Sequence, residues 1–278
     1  MQTMRATSRV EEYDLRARYL KNDYDMAGRG RLETEFLIKR LISLVPFAPE
    51  DRVLDIGPGN GLLFHLLHAR VAECHGVDPS PAMIERLQQK FRSCPNVQFT
   101  RLTSSTLPFP DKSFEKVVLS SVITYMDDRN AVLRTLSEVR RVSTDEAVIF
   151  IGEVPFLDEA QAPRPQLPLS ERLRHKLREE GMVEFVRSAI IKLSKKLRVL
   201  FGREPALIAS DHGLHFNEET FLMMCRQSGF EGIVMRTETL HGLSKSRNDY
   251  LLHPIEVPAS RSTAGQPRPS RASQATTA

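Results

Sequence analysis

The residues best suited to chemistry form a glycine-rich turn between an apolar run and a helical segment. Residues 53–56 (VLDI) are a short apolar run, and the turn 57–61 (GPGNG) follows directly. Glycine suits a turn whose backbone takes positive φ and approaches a ligand closely, since it has no Cβ. A second acid, Asp78, ends the next apolar run. A carboxylate there can accept hydrogen bonds from a ribose diol, so the two segments predict an adenosine site.

Two adenosine cofactors fit this layout, and charge distinguishes them. A dinucleotide turn has the pattern GxGxxG, and its helix N-terminus holds the pyrophosphate. Here Leu62 occupies the position of the third glycine. Asp55 would be unfavourable beside a pyrophosphate but favourable beside an α-ammonium group, so the charges favour S-adenosylmethionine over a dinucleotide. An ordinary strand–turn–helix with packing glycines is the remaining interpretation.

The elements around this turn alternate between apolar strands and amphipathic helices. Strands are predicted at 52–56, 73–77, 97–100, 116–120, 147–154, 232–237 and 249–252. Continuous apolar strands separated by helices are typical of a parallel sheet covered on both faces. We therefore expect an α/β fold whose glycine turn lies at the carboxyl edge of the sheet, where ligands bind.

Two segments fall outside this alternation. Residues 155–217 open with several prolines and continue as a basic amphipathic helix near 182–201. We expect a helical cap insertion whose apolar stripe packs on the carboxyl edge of the sheet. Peripheral membrane or lipid contact, or an interface with a partner, are the alternatives. Residues 258–278 contain no large apolar side chain and are predicted to be a disordered tail, which leaves 1–257 as the folded domain.

Composition and charge narrow the partners. The 278 residues are 41% hydrophobic with a net charge of +4, and residues 168–203 hold ten of the Lys and Arg against four Glu. The rest of the folded part is therefore net acidic, so no nucleic-acid partner is expected. No metal-ligating cluster is apparent. The three scattered cysteines, with no secretory or membrane-spanning segment visible, favour a cytoplasmic location. The oligomeric state is not predicted.

The motifs together resemble class I S-adenosylmethionine-dependent methyltransferases of the small-molecule type. Residues 55–61 (DIGPGNG) and 76–80 (GVDPS) are similar to the first two motifs of that family. Residues 107–114 (LPFPDKSF) resemble its approach to the fourth strand, and 215–230 its final helix. The resemblance covers about half of the chain.

This resemblance implies a Rossmann-like, seven-stranded, mostly parallel sheet with helices on both faces and a helical lid from residues 1–50. It implies methyl transfer by in-line displacement to a small-molecule, glycan or lipid-like acceptor. The segment 120–123 (SSVI) lacks the tetrad of enzymes that methylate nucleic-acid amino groups. An NAD(P)-dependent oxidoreductase and a non-catalytic cofactor-binding protein are the alternatives.

The resemblance also implies cofactor contacts. Asp55 would orient the methionine ammonium and Asp78 would hold the ribose hydroxyls. The other expected contacts are Gly57, Pro58, Gly59 and Gly61 in the turn, Pro79 and Met83 beside the adenine, Thr103 and Ser104 at its amino group, and Ser120 and Ser121 beside the methionine. The family often has an acid at the position of Thr103, and its replacement by Thr suggests weaker or altered adenine recognition.

Three side chains on loops expected at the carboxyl edge are candidates for a general base. Tyr125 follows the fourth strand, and His212 and His215 precede the last helix. A base assists a hydroxyl nucleophile most, whereas an amine or thiol needs little help. Tyr125 alternatively only forms a wall of the pocket, and His215 only caps the entry to the helix.

Overall fold

The computed structural model of the protein describes residues 3–5, 8–19, 31–102, 104–156, 182, 186, 190, 193, 206–208, 213–239 and 242–256. The strands are β1 (Thr3–Arg5), β2 (Arg52–Ile56), β3 (Glu73–Asp78), β4 (Val97–Arg101), β5 (Phe114–Ser120), β6 (Ser143–Pro155), β7 (Ala206–Ile208), β8 (Phe230–Thr239) and β9 (Gly242–Pro254). The helices are α1 (Arg9–Tyr19), α2 (Arg31–Leu44), α3 (Leu62–Leu67), α4 (Pro81–Lys90), α5 (Arg129–Val142) and α6 (Glu218–Gln227), with a 3-10 turn at Ile123–Tyr125.

A seven-stranded sheet in the order β4-β3-β2-β5-β6-β9-β8 forms the centre of the fold. Strands β4, β3, β2, β5 and β6 run parallel, while β9 is antiparallel to both of its neighbours, β6 and β8. The predicted Rossmann-like, mostly parallel sheet is therefore confirmed. A separate parallel pair, β1 with β7, was not expected.

Helices cover both faces of this sheet because successive strand residues point to opposite sides. Val53, Val118 and Phe150 share one buried cluster with side chains of α2, α3 and α4. Leu54 and Val117, each one residue away, belong to the other cluster, with side chains of α5 and α6. Strands that are apolar on both faces explain why these segments read as continuous hydrophobic runs. Asp55 interrupts that pattern on the α2–α4 side.

The predicted cap insertion lies mostly outside the described residues. Met182, Val186, Ile190 and Leu193 are described, and all four are helical and exposed, at 72%, 47%, 61% and 58%. The interpretation that this apolar stripe packs on the sheet is wrong for these four side chains, because packing would have buried them. The predicted tail 258–278 also lies outside the described part. Within that part, no helix is long and apolar enough to cross a bilayer.

A buried ion pair ties α2 to the β8–β9 hairpin. The Arg40 guanidinium contacts the carboxylate of Asp249 and lies 3.1 Å from that of Glu238. Asp249 is almost fully buried and also accepts hydrogen bonds from the Thr237 hydroxyl, at 2.8 Å, and from the Glu153 backbone N–H, at 2.8 Å. Arg40 therefore neutralises a carboxylate that organises the end of β6.

We expect Arg40→Leu to lower the free energy of unfolding by about 3–5 kcal/mol, because it leaves Asp249 charged and buried. Arg31→Leu is the matched control, since the Arg31–Glu35 pair on the same helix is largely exposed. Exposed pairs contribute about 1 kcal/mol or less. Urea unfolding of both variants at pH 7 measures the difference. Equal losses would show that the Arg40 pair has no special role.

Candidate functional site

A cavity of about 360 Å³ lies at the carboxyl edge of β2, β3, β5 and β6. Its described wall includes these sequence-predicted residues: Asp55, Gly57, Pro58, Gly59, Asp78, Pro79, Met83, Ser120, Ser121 and Tyr125. Gly61, Ser104 and His215 are described but do not line it. Thr103 and His212 lie outside the described residues. The structure thus brings together side chains that are up to 70 positions apart in the chain, as the parallel topology requires.

The glycines of the turn serve different purposes. Gly59 has φ +53°, and a Cβ built on it would meet nothing within 4 Å. Gly59 lines the cavity, so that open space is available to a ligand. Gly61 has φ +72°, and a Cβ there would lie 2.7 Å from the Phe91 ring and 2.8 Å from Leu87. Gly61 therefore packs closely against Leu87 and Phe91 at the end of α4, and the cofactor contact expected at Gly61 stays a prediction.

Asp55 places an unpartnered carboxylate in the cavity wall. It is buried, and the described residues offer it no hydrogen-bond partner. Burial, with a smaller contribution from the charge of Asp78, raises the pKa of Asp55 to about 7. Desolvation disfavours the ionised form of an acid, so this side chain is stabilised by any cation that enters the cavity.

Asp78 is held in a defined orientation at the end of β3. Its Oδ1 accepts a hydrogen bond from the Ser80 N–H at 2.8 Å, in the turn that starts α4. Burial raises the pKa of Asp78 to about 6, and the charge of Asp14 adds to this effect. The site therefore contains two carboxylates that folding has removed from water.

Stability should fall as the pH rises through the window in which Asp55 ionises. The folded state binds this proton up to about pH 7, whereas an unfolded Asp loses it near pH 4. Between these values the free energy of unfolding of the ligand-free protein should decrease by about 2–4 kcal/mol.

Asp55→Asn should abolish most of that decrease, since the amide does not ionise. Asp145→Asn, at an exposed position, is the control and should leave the pH dependence close to that of the wild type. Urea unfolding at pH 5 and pH 8 measures the change. A wild-type stability that rises over this interval, or a slope unaffected by Asp55→Asn, would contradict the assignment.

Helix α1 forms part of the cavity wall, and its individual wall residues were not predicted from the sequence. Val10 and Tyr13 line the cavity, and the Tyr13 ring packs edge-on against Tyr125 with centroids 5.4 Å apart. Asp14 anchors the helix, because its carboxylate accepts hydrogen bonds from the Ser80 hydroxyl and the Ala82 N–H, both at 2.9 Å. These donors belong to the N-terminus of α4, where an anion is stabilised. The lid role expected for residues 1–50 stays a prediction.

The LPFPD segment is held by two charged side chains of α5. Arg141 donates to the carbonyl oxygens of Leu107, at 2.9 Å, and Phe109, at 2.8 Å. Glu138 accepts from the Leu107 N–H at 2.8 Å and forms an ion pair with Arg141, which lowers the pKa of Glu138. Leu107 and Ser105 thereby enter the cavity wall, whereas the Ser104 hydroxyl binds the Thr106 carbonyl at 3.2 Å.

Of the candidate bases, the structure brings only Tyr125 to the described cavity wall. His215 is exposed, and its Nδ1 lies 2.9 Å from the Gly213 carbonyl oxygen. Its neighbour Phe216 is fully buried, so alternation along this extended segment turns His215 outward. His215 therefore lies outside the described cavity wall, and its expected role as a base stays a prediction.

The described cavity wall is acidic. It contains Asp55, Asp78, Glu138 and Glu153, and it contains no Lys, Arg or His. Arg141 balances Glu138 from outside the wall. Glu153 was not predicted from the sequence, although it is the acid that interrupts the apolar run 147–154. A cavity of this composition favours a cationic ligand and disfavours a phosphate-bearing one.

Known proteins share the region around this cavity. Residues 53–145 match a family model described as a methyltransferase domain. This segment, about a third of the chain, is similar to methyltransferase domains. This match agrees with the family resemblance of the sequence motifs.

Curated relatives match over part of the chain. An uncharacterized methyltransferase of Bacillus subtilis, YcgJ, is 32% identical over 40% of this chain and 45% of its own length. The malonyl-[acyl-carrier protein] O-methyltransferase of Halorhodospira halophila is 33% identical over 36% and 34%. The ubiquinone/menaquinone biosynthesis C-methyltransferase UbiE of Xanthomonas oryzae is 27% identical over 53% and 57%. The chain therefore spans about a third to just over half of the length of these relatives.

Solved structures share the fold over most of the chain. A Haemonchus contortus phosphoethanolamine N-methyltransferase superposes with a TM-score of 0.61 at 13% identity, over 91% of this chain and 49% of that one. A putative methyltransferase solved in complex with the Trm112 activator of Haloferax volcanii gives 0.58 at 15%, over 88% and 98%. The [4+2]-cyclase SpnF gives 0.57 at 14%, over 92% and 99%. At these identities the matches show the fold alone, and the third shows that the fold serves more than one reaction.

Proposed function

We propose that this chain transfers a methyl group from S-adenosylmethionine to a small-molecule, glycan or lipid-like acceptor. When bound, the cofactor supplies a methyl group on an electrophilic, positively charged sulfonium. The observation that carries the proposal is the acidic cavity wall at the glycine turn, with no Lys, Arg or His among its described residues. Two desolvated carboxylates there match a ligand that has a cationic amine, a ribose diol and no phosphate.

In this proposal, the residues of the cavity bind and orient the cofactor. Asp55 contacts the α-ammonium group, and Asp78 accepts the ribose hydroxyls with its carboxylate fixed by Ser80. The backbone at Gly59 passes beneath the methionine and ribose without a Cβ in the way. The remaining proposed contacts are Gly57, Pro58, Pro79, Met83, Ser120 and Ser121, and for the adenine edge Thr103 or Ser104 in addition to Ser105.

The alternatives meet specific difficulties in this cavity. A dinucleotide would bring its pyrophosphate to a wall that holds Asp55 and Asp78 and offers no described cation. The second alternative is a protein that binds the cofactor but transfers no methyl group; the [4+2]-cyclase shows the same fold in another reaction. Analysis of the reaction products distinguishes it from a methyltransferase. The acceptor class is supported by the names of the relatives, which include an enzyme of quinone biosynthesis and one that acts on malonyl-[acyl-carrier protein].

Calorimetry with S-adenosylhomocysteine, S-adenosylmethionine and NAD tests cofactor binding. We expect both adenosyl ligands to bind and NAD not to bind. Asp78→Ala should weaken binding by about 1–3 kcal/mol, because the ribose diol loses a charged, buried acceptor. Asp145→Ala, at an exposed position remote from the cavity lining, is the control. Binding of NAD alone would refute the proposal, and unchanged affinity in Asp78→Ala would refute the ribose assignment.

We also propose that the helical surface formed by Met182, Val186, Ile190 and Leu193 contacts an anionic lipid surface. These four apolar side chains are exposed, and the surrounding sequence 168–203 carries ten Lys and Arg against four Glu. An exposed apolar stripe within a basic segment is typical of interfacial helices. Such a contact fits a cytoplasmic protein, a location that the three free thiols support.

Vesicle sedimentation tests this surface. The protein should bind vesicles of phosphatidylcholine with phosphatidylglycerol more strongly than phosphatidylcholine alone, and M182E/I190E should lose that binding. M223E/I233E alters two exposed apolar residues elsewhere and should retain it. Equal binding of both double variants, or a wild-type dimer that M182E/I190E converts to a monomer, would overturn the lipid assignment.

A further inference from the structure

The order of the strands places an acid at one end of the proposed cofactor site. Along the carboxyl edge, Asp78 ends β3, Gly57 follows β2, Ser121 follows β5 and Glu153 lies near the end of β6. Neighbouring strands are about 4.8 Å apart, so Glu153 lies about 14 Å along the edge from Asp78. With the ribose at Asp78 and the amine at Asp55, the β6 side of the cavity is the side left for the acceptor.

Ser121 and Glu153 share an unusual backbone conformation. The β5–β6 register ends at the pair Ser120–Gly152, and the next residue on each strand, Ser121 and Glu153, has φ +59°. The Ser121 N–H still donates to the Gly152 carbonyl at 3.0 Å. Left-handed conformations are unfavourable for non-glycine residues, and they persist where the surrounding structure enforces them, most often at functional sites.

Hydrogen bonds fix Glu153 in this position. The Ser121 hydroxyl donates to Glu153 Oε2. The Glu153 N–H donates to Asp249 at 2.8 Å, and its carbonyl oxygen accepts from Arg247 at 2.9 Å. Glu153 is buried, yet both it and Ser121 line the cavity. The carboxylate is therefore held in the wall by contacts on its side chain and on both backbone groups.

We propose that Glu153, oriented by Ser121, is the general base that takes the proton of a hydroxyl or amine acceptor. This inference rests on the proposed function. The described cavity wall also includes Leu37, Ile38, Leu41 and Met126, and it offers no described cation. An acceptor that presents its hydroxyl or amine on an apolar frame fits this composition, whereas an acceptor recognised through a phosphate does not.

The proton and charge balance follow from this placement. Glu153 receives the proton that the acceptor oxygen or nitrogen loses as that atom bonds to the methyl carbon. The electron pair of the broken carbon–sulfur bond stays on sulfur. The positive charge lost at sulfur matches the negative charge that Glu153 loses on protonation, so the cavity contents and wall keep the same total charge. The ionised Glu153 and the sulfonium therefore lose their charges together when the methyl group is transferred.

A binding measurement tests this assignment without knowledge of the acceptor. Sinefungin carries an ammonium group where S-adenosylmethionine has its methylsulfonium, and S-adenosylhomocysteine has no charge there. If Glu153 reaches the transfer position, Glu153→Gln should weaken sinefungin binding about tenfold, since a carboxylate about 5 Å from a cation in protein contributes at least that much. The affinity for S-adenosylhomocysteine should change less than twofold. Glu231→Gln, an exposed acid on β8, should leave both affinities unchanged.

The outcomes separate the two proposals. Binding of neither ligand by the wild type would overturn the proposed function and, with it, this inference. If Glu153→Gln binds S-adenosylhomocysteine normally and its affinity for sinefungin relative to S-adenosylhomocysteine equals that of the wild type, the role of Glu153 alone is overturned. If Glu153→Gln does not fold, Glu153→Asn removes the same charge with a residue that tolerates positive φ. Its relative affinity for sinefungin and S-adenosylhomocysteine then tests the role of Glu153. Melting temperatures and S-adenosylhomocysteine binding show which variants are folded.

Discussion

Carboxylates removed from water at the end of the parallel strands are the constraint on which the site depends. Folding places Asp55 and Asp78 in a cavity whose described wall offers them no cation, and burial raises the pKa of both. This arrangement costs stability in the ligand-free protein, since an ionised acid in a poorly solvated position is unfavourable. The cost becomes binding energy for a ligand that brings positive charge. The electrostatics of the cavity thus favour a ligand with positive charge before any shape is considered.

Two elements outside the glycine turn maintain this environment. Helix α1 reaches the N-terminus of α4 through Asp14 and places Tyr13 against Tyr125. Arg141 holds the LPFPD segment by its carbonyl oxygens, so that Leu107 closes another part of the wall. Both elements are held against the cavity by hydrogen bonds as well as by apolar packing. The motif residues therefore depend on partners that lie far from them in sequence.

Local patterns were sufficient to predict the sheet and the centre of the site. Apolar runs predicted the seven strands, and the glycine turn with Asp78 predicted the cavity floor, because the carboxyl ends of parallel strands meet at one edge of the sheet. Contacts made by tertiary packing were not predictable in this way. Gly61 was expected at the ligand, but Phe91 and Leu87 occupy the space beside it. His215 was placed on the correct loop, yet its outward direction depends on the burial of Phe216.

Other features could be recognised only from the three-dimensional structure. Glu153 is one acid within a run of apolar strand residues, and its position in the cavity follows from a left-handed φ that composition does not reveal. The exposed stripe at Met182 and Ile190 has the periodicity of a packed helix, and periodicity alone does not state what covers an apolar face. Sequence therefore predicted the wall around the glycine turn and Asp78 better than the wall around Glu153.

The double role of α2 has a consequence for how this domain diversifies. One side of the helix gives Leu37, Ile38 and Leu41 to the cavity wall, and its Arg40 binds the carboxylate that anchors the Glu153 backbone. Any drift in the pitch of this helix therefore alters the width of the chamber and the aim of the acid together. Under the proposed function, a single change in α2 would therefore alter the fit of the acceptor and the orientation of Glu153 together.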